Sequence, residues 1–135
     1  MTPTHLLDTG WVIRHLRGAK AYADACYRIG IANLAVSIVS LAELYEGVYR
    51  AADRGVARQK LITYISDKTI LPLTPEICDI FGEHRARLRQ QNQLIGDLDL
   101  LIAATCLHHH LTLLTTNLRH FERIPGLTII SQPIP

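Results

Sequence analysis

The stretch Gly96–Asn117, GDLDLLIAATCLHHHLTLLTTN, places two carboxylates, Asp97 and Asp99, at the front of a largely apolar run. Its first part predicts a helix from Leu98 to His109, and Leu111–Leu114 then predicts a strand. Ionised groups turned inward on such a helix cost several kcal/mol each unless something cationic compensates them. Asp99 shares a helix face with the apolar Ile102, Ala103 and Cys106, at i+3, i+4 and i+7, so a purely solvated role does not suit it. Asp97 stands two residues earlier, where a helix side chain points to nearly the opposite side. After Gly96 it is also a natural N-cap.

Outward from this stretch, short apolar runs alternate with longer helical patterns. His5–Asp8 predicts a strand, with a helix from Thr9 to Gly18 and a second over Lys20–Arg28. Asn33–Ser37 predicts the next strand, and Leu41, Leu44, Tyr45 and Val48 recur at helical spacing in a segment from about Ser40 to Asp53. Another helix covers about Val56–Ser66. Thr69–Leu73 predicts a third strand, and its Pro72 suggests a sheet edge. Thr74-Pro75 pairs a cap residue with proline at the first helical position and opens a helix to about Gln91. Leu127–Ile130 is the fifth strand, after a short helical turn near Phe121. Strands that alternate with helices and read as continuous apolar runs imply a parallel sheet covered on both faces.

In such a sheet, sites form at the carboxyl ends of the strands. Asp8 closes the first strand, Glu43 lies a turn into the helix after the second, Asp97 and Asp99 open the helix that feeds the fourth, and Asn117 follows the fourth. Segments far apart in sequence thus bring oxygen ligands to one edge, which is what a hard divalent cation such as Mg²⁺ or Mn²⁺ requires. Each residue also has a structural role open to it. Ser40-Leu41-Ala42-Glu43 matches a capping box, and Asp8 can cap the first helix. Asp99 ranks as the direct ligand, and Asp97 as cap, second ligand or water holder. His108-His109-His110 fan out around a helix end without the spacing of a zinc site, so they are expected to be structural or solvated.

Composition limits the alternatives. The chain has 135 residues, enough for one domain that buries a core without staples. Cys26, Cys78 and Cys106 form no CxxC pair and are expected to be reduced core residues of a cytosolic protein. No apolar run approaches the ~20 residues of a membrane span, and MTPTHLLD lacks the basic and long apolar parts of a signal peptide. A cytoplasmic location without membrane attachment is expected. A net charge of +2 does not by itself argue for nucleic-acid binding. Were Asp8, Glu43, Asp97 and Asp99 neutralised by metal, 8 acids would remain against 14 basic residues, a balance suited to RNA. The P-loop, GxGxxG and GxSxG signatures are all missing.

Taken together, Leu6-Leu7-Asp8-Thr9, Ala42-Glu43-Leu44 with Ser37 and Gly47, Ile95–Ala104, Thr115-Thr116-Asn117 with Phe121, and Ile124-Pro125-Gly126-Leu127 resemble PIN-domain ribonucleases, and among them the VapC-type toxins of bacterial toxin–antitoxin pairs. The resemblance covers nearly the whole chain. It implies a single PIN domain, a three-layer α/β/α fold with a central, mostly parallel five-stranded sheet. It also implies a Mg²⁺- or Mn²⁺-dependent endoribonuclease, homodimeric and held inactive by a VapB-type antitoxin. By position, Asp8, Glu43 and Asp99 match the core acids, Asp97 a frequent additional acid and Asn117 the fourth polar position, with Thr9 and Thr115 in supporting places. The chain departs from the pattern in two places: Gly10 stands where asparagine is usual, and His120 where many relatives carry an acid. The RNA target, whether a tRNA loop, ribosomal RNA or messenger, is not legible, nor is the choice between one metal ion and two. Two other functions stay open, a catalytically silent module that binds RNA or protein and a metal-dependent DNA nuclease.

Overall fold

A computed structural model describes residues 2–133. Its five strands are β1 (His5–Leu7), β2 (Leu34–Ser37), β3 (Thr69–Leu71), β4 (Thr112–Leu114) and β5 (Thr128–Ile130). They form one sheet in the order β3-β2-β1-β4-β5, and each neighbouring pair is parallel. The helices are α1 (Thr9–Leu16), α2 (Lys20–Ile29), α3 (Ile38–Arg50), α4 (Arg54–Ile65), α5 (Pro75–Gln90), α6 (Asp97–His109) and α7 (Leu118–Phe121), with a 3-10 turn at Ile31–Asn33.

Side chains alternate across a strand, so successive residues enter different cores. Leu6, Ala35 and Leu113 pack on one face with Leu88 of α5, Leu100, Ile102, Ala103 and Cys106 of α6 and Phe121 of α7. Leu7, Val36 and Leu114 pack on the other with Trp11 and Val12 of α1, Cys26 of α2, Leu44 and Val48 of α3 and Leu61 of α4. The result is the expected three-layer α/β/α arrangement. β3 is an edge strand, and Pro72 falls just past its end, where its missing N–H breaks no ladder.

Two local expectations change. Cys26 and Cys106 are buried, but Cys78 is exposed. α5 buries only Ile77 and Leu88, and Cys78, one position on from Ile77, turns outward. α3 begins at Ile38 rather than near Ser40, because the buried Ser37 is the N-cap and its Oγ accepts the Ser40 N–H at 3.0 Å. α6 ends at His110, whose φ of 56° is the left-handed conformation common after a helix. Among the described residues, no helix is long and apolar enough to cross a membrane.

Candidate active site

The chain runs from β1 to β2 and β3 on one side of the sheet, and α5 and α6 then carry it across β1 to β4 on the other. Segments leaving the carboxyl ends of β1 and β4 therefore diverge and open a crevice, the usual ligand position in an open α/β sheet. Asp8 and Thr115 are the first residues past those two ends. Asp8 caps α1: its Oδ1 accepts the Thr9 N–H at 2.8 Å, and its Oδ2 accepts the Thr115 hydroxyl at 2.6 Å. Asp8 is only 5 % exposed and Thr115 is fully buried. The Thr115 oxygen in turn accepts the Asn117 backbone N–H at 3.0 Å, which fixes the turn after β4.

Glu43 enters from α3. With Ser37 as the cap, Ser40 to Glu43 forms no capping box, and Glu43 lies in the second turn with its carboxylate free of capping duty. The Thr9 hydroxyl donates to Glu43 Oε1 at 2.7 Å and lies 3.0 Å from Ser40 Oγ. Thr9 thus links the Asp8 cap to Glu43. The part of the buried Ser40 was not anticipated, although a serine three residues before an acid on one helix face was the available signal.

Asp99 enters from the first turn of α6. Its Oδ2 accepts from Asn117 Nδ2 at 3.3 Å and lies 3.0 Å from His120 Nδ1, which is 2.8 Å from Asn117 Nδ2. One ring nitrogen cannot serve both neighbours: protonated, it donates to Asp99, and bare, it accepts from Asn117. His120 therefore lies against Asp99 at the crevice wall, with its ring still partly exposed. Asp97 goes elsewhere. Gly96 is the N-cap, Asp97 is the first helical residue, and its largely exposed carboxylate accepts from Arg85 Nε at 2.8 Å. No bond joins it to Asp8, Glu43 or Asp99.

Burial pushes the Asp8 carboxyl up to about 6, and the charges of Asp99 and Glu43 push the same way. The bonds from Thr115 and Thr9 oppose the rise. Among the described residues, no lysine or arginine forms a salt bridge with Asp8, Glu43 or Asp99. This donor set suits a hard cation: carboxylate and hydroxyl oxygens around a crevice, the carboxylates repelling one another and, among the described residues, paired with no lysine or arginine. Among the described residues, no three of His, Cys, Asp and Glu converge on one ion position. Mg²⁺ tolerates such a spread, because it keeps several waters and is held through one or two carboxylates. The three consecutive histidines take no part. His108 and His109 pack edge to face, and His109 Nε2 is buried without a partner.

The family model for the PIN domain matches residues 5–127. The chain is 32% identical over 125 residues to Ribonuclease VapC2 of Haemophilus influenzae, covering 91% of this chain and 93% of that one. It is 27% identical over 128 residues to the tRNA(fMet)-specific endonuclease VapC of Salmonella typhimurium, covering 92% and 94%. The VapBC2 structure from Rickettsia felis, bound to a DNA fragment from its promoter, superposes with a TM-score of 0.86 at 28% identity, covering 96% and 98%. The chain belongs to the PIN-domain family and, within it, to the VapC-type ribonuclease toxins of type II toxin–antitoxin systems.

Proposed function

We propose that this toxin is a Mg²⁺- or Mn²⁺-dependent endoribonuclease whose metal is held by Asp8, Asp99 and Glu43. One observation carries the proposal: the Asp8 carboxyl, buried past the end of β1, is pushed up by burial and by the charges of Asp99 and Glu43, and among the described residues no lysine or arginine pairs with any of the three. A bound divalent ion lowers the pKa of a coordinated water and stabilises charge on the phosphodiester oxygens. The protein's own part is orientation. Thr115 and the Thr9 N–H fix both Asp8 oxygens, while the Thr9 hydroxyl holds Glu43 and Asn117 holds Asp99. Asp97, paired with Arg85, contributes less, as an outer acid.

RNA is the substrate, and the name of the Salmonella relative makes a tRNA the first to try. A VapB-type antitoxin is the expected partner, because the Rickettsia relative was solved as a VapBC assembly. Beside Glu43, Ile38, Val39, Leu73, Leu98 and Leu101 line a hollow of about 510 Å³ that an apolar segment of such a partner could fill. Cleavage of single-stranded RNA and DNA of one sequence, with Mn²⁺ and with EDTA, tests the proposal. RNA cut only with Mn²⁺ is expected, and equal cutting of DNA would make the protein a general nuclease. A catalytically silent binding module is the second reading, favoured by His120 against Asp99, and it requires RNA binding without cleavage.

A further inference from the structure

We propose that Arg14 is a phosphate-binding residue for the RNA strand, seated at the crevice mouth by the absent side chain of Gly10. The proposal rests on the ribonuclease function above. Arg14 lies on α1 one turn after Gly10, and its Nη1 donates to Thr116 Oγ1 at 3.3 Å. Thr116 follows the Thr115 that holds Asp8, so this bond spans the crevice from the α1 side to the turn after β4. A Cβ built at Gly10 would stand 3.3 Å from Thr116 Oγ1 and 3.5 Å from Arg14 Nη1. Any longer side chain there would enter the guanidinium's seat. Glycine at position 10 thus leaves room for the cation beside Thr116.

The other contacts of Arg14 leave its charge available. The guanidinium lies 5.7 Å from the Tyr22 ring centroid, which steadies its plane without neutralising it. Several other cations of the chain are committed to acids: Lys20 to Asp24 at 2.7 Å, Arg50 to Glu46 at 3.6 Å and Arg85 to Asp97 at 2.8 Å. Among the described residues, Arg14 has no carboxylate in ion-pair range. It is exposed, and its single bond to a neutral hydroxyl leaves most of a donor fork that matches phosphate geometry. A strand whose scissile phosphate sits over Asp8 and Asp99 would pass a neighbouring phosphate across this fork.

The test is steady-state cleavage of a short single-stranded RNA with Mn²⁺ by wild type, Arg14→Ala and Arg14→Lys over a range of salt. Arg14→Ala is expected to raise KM about tenfold with kcat nearly unchanged, the mark of lost substrate binding. Its log KM should depend less steeply on log salt, by about 0.7, for one phosphate contact on a single strand. Arg14→Lys should restore most of the affinity and the salt slope. If wild type cleaves and Arg14→Ala keeps its KM and salt slope, this proposal fails and the ribonuclease function stands. A fall in kcat alone, shared by Arg14→Lys, would mean that Arg14 only clamps Thr116, and would likewise overturn it. A wild type that cuts no RNA overturns both.

Discussion

Asp8 and Asp99 are held differently, and their substitutions should differ accordingly. Asp8 is buried with its carboxyl raised to about 6, so the metal-free fold holds its proton to a higher pH than the unfolded chain does. The associated stability is full below about pH 4, where the unfolded chain also binds the proton, and is lost as pH rises through 6. At pH 7 the ionised carboxylate costs the metal-free protein about 3 kcal/mol. Asp8→Asn is expected to be more stable than wild type in EDTA at pH 7, by about 1–3 kcal/mol in urea unfolding, with the gap closing toward pH 4. Burial lowers the imidazoles of His5, His15, His84 and His109, whose contribution has the opposite sign and is lost as pH falls. Subtracting the two proteins' curves cancels that contribution, and an equal gap at pH 4 and 7 would show that Asp8 is not the cause. Asp97 should matter less: Asp97→Asn is expected to keep at least about a tenth of wild-type cleavage, since an exposed ion pair with Arg85 is worth ~1 kcal/mol or less. The inward place of Asp99 was legible from its apolar face. The Arg85 pairing was not, because it depends on how α5 packs on α6 and no periodicity encodes that.

At the scale of elements, the order of strands and helices was legible because each strand is a short apolar run and each long helix shows its own period or cap. The start of α3 was less so. Ser37 and Ser40 both precede helical sequence, and a motif with glutamate three residues after serine cannot say which serine caps. The choice is made by β2, which ends at Ser37 and turns directly into the helix. That shift of the cap by nearly a full turn frees Glu43 from capping and carries it to Thr9. Ser37→Ala should therefore cost about 1–2 kcal/mol of stability in urea unfolding. Unchanged stability would mean that the cap at Ser37 contributes nothing to the start of α3.

For the whole molecule, the apolar fraction of 48% leaves surface beyond the two cores. Tyr49, Val56 and Ile62 on α3 and α4 are exposed, beside the crevice helix that carries Glu43. A homodimer through this region is expected, and sedimentation at micromolar concentration should give twice the 15.1 kDa chain mass. A monomer there would remove the dimer. The switch-point position of the site follows from topology, since the pairing of β1 with β4 puts Asp8 next to Thr115, 107 residues away in the chain. The parallel pattern pointed to that edge of the sheet, and the hydrogen bonds that pin each acid came only with the packed molecule. Most directly, the site is tested by divalent-dependent cleavage of single-stranded RNA by wild type and Asp99→Asn, with circular dichroism confirming the fold of both. A loss of at least about a hundredfold in Asp99→Asn, with its thermal midpoint equal to or above that of wild type in EDTA, is the expected result. Wild-type cleavage by a folded Asp99→Asn protein, or cleavage by wild type that persists in EDTA, would contradict it.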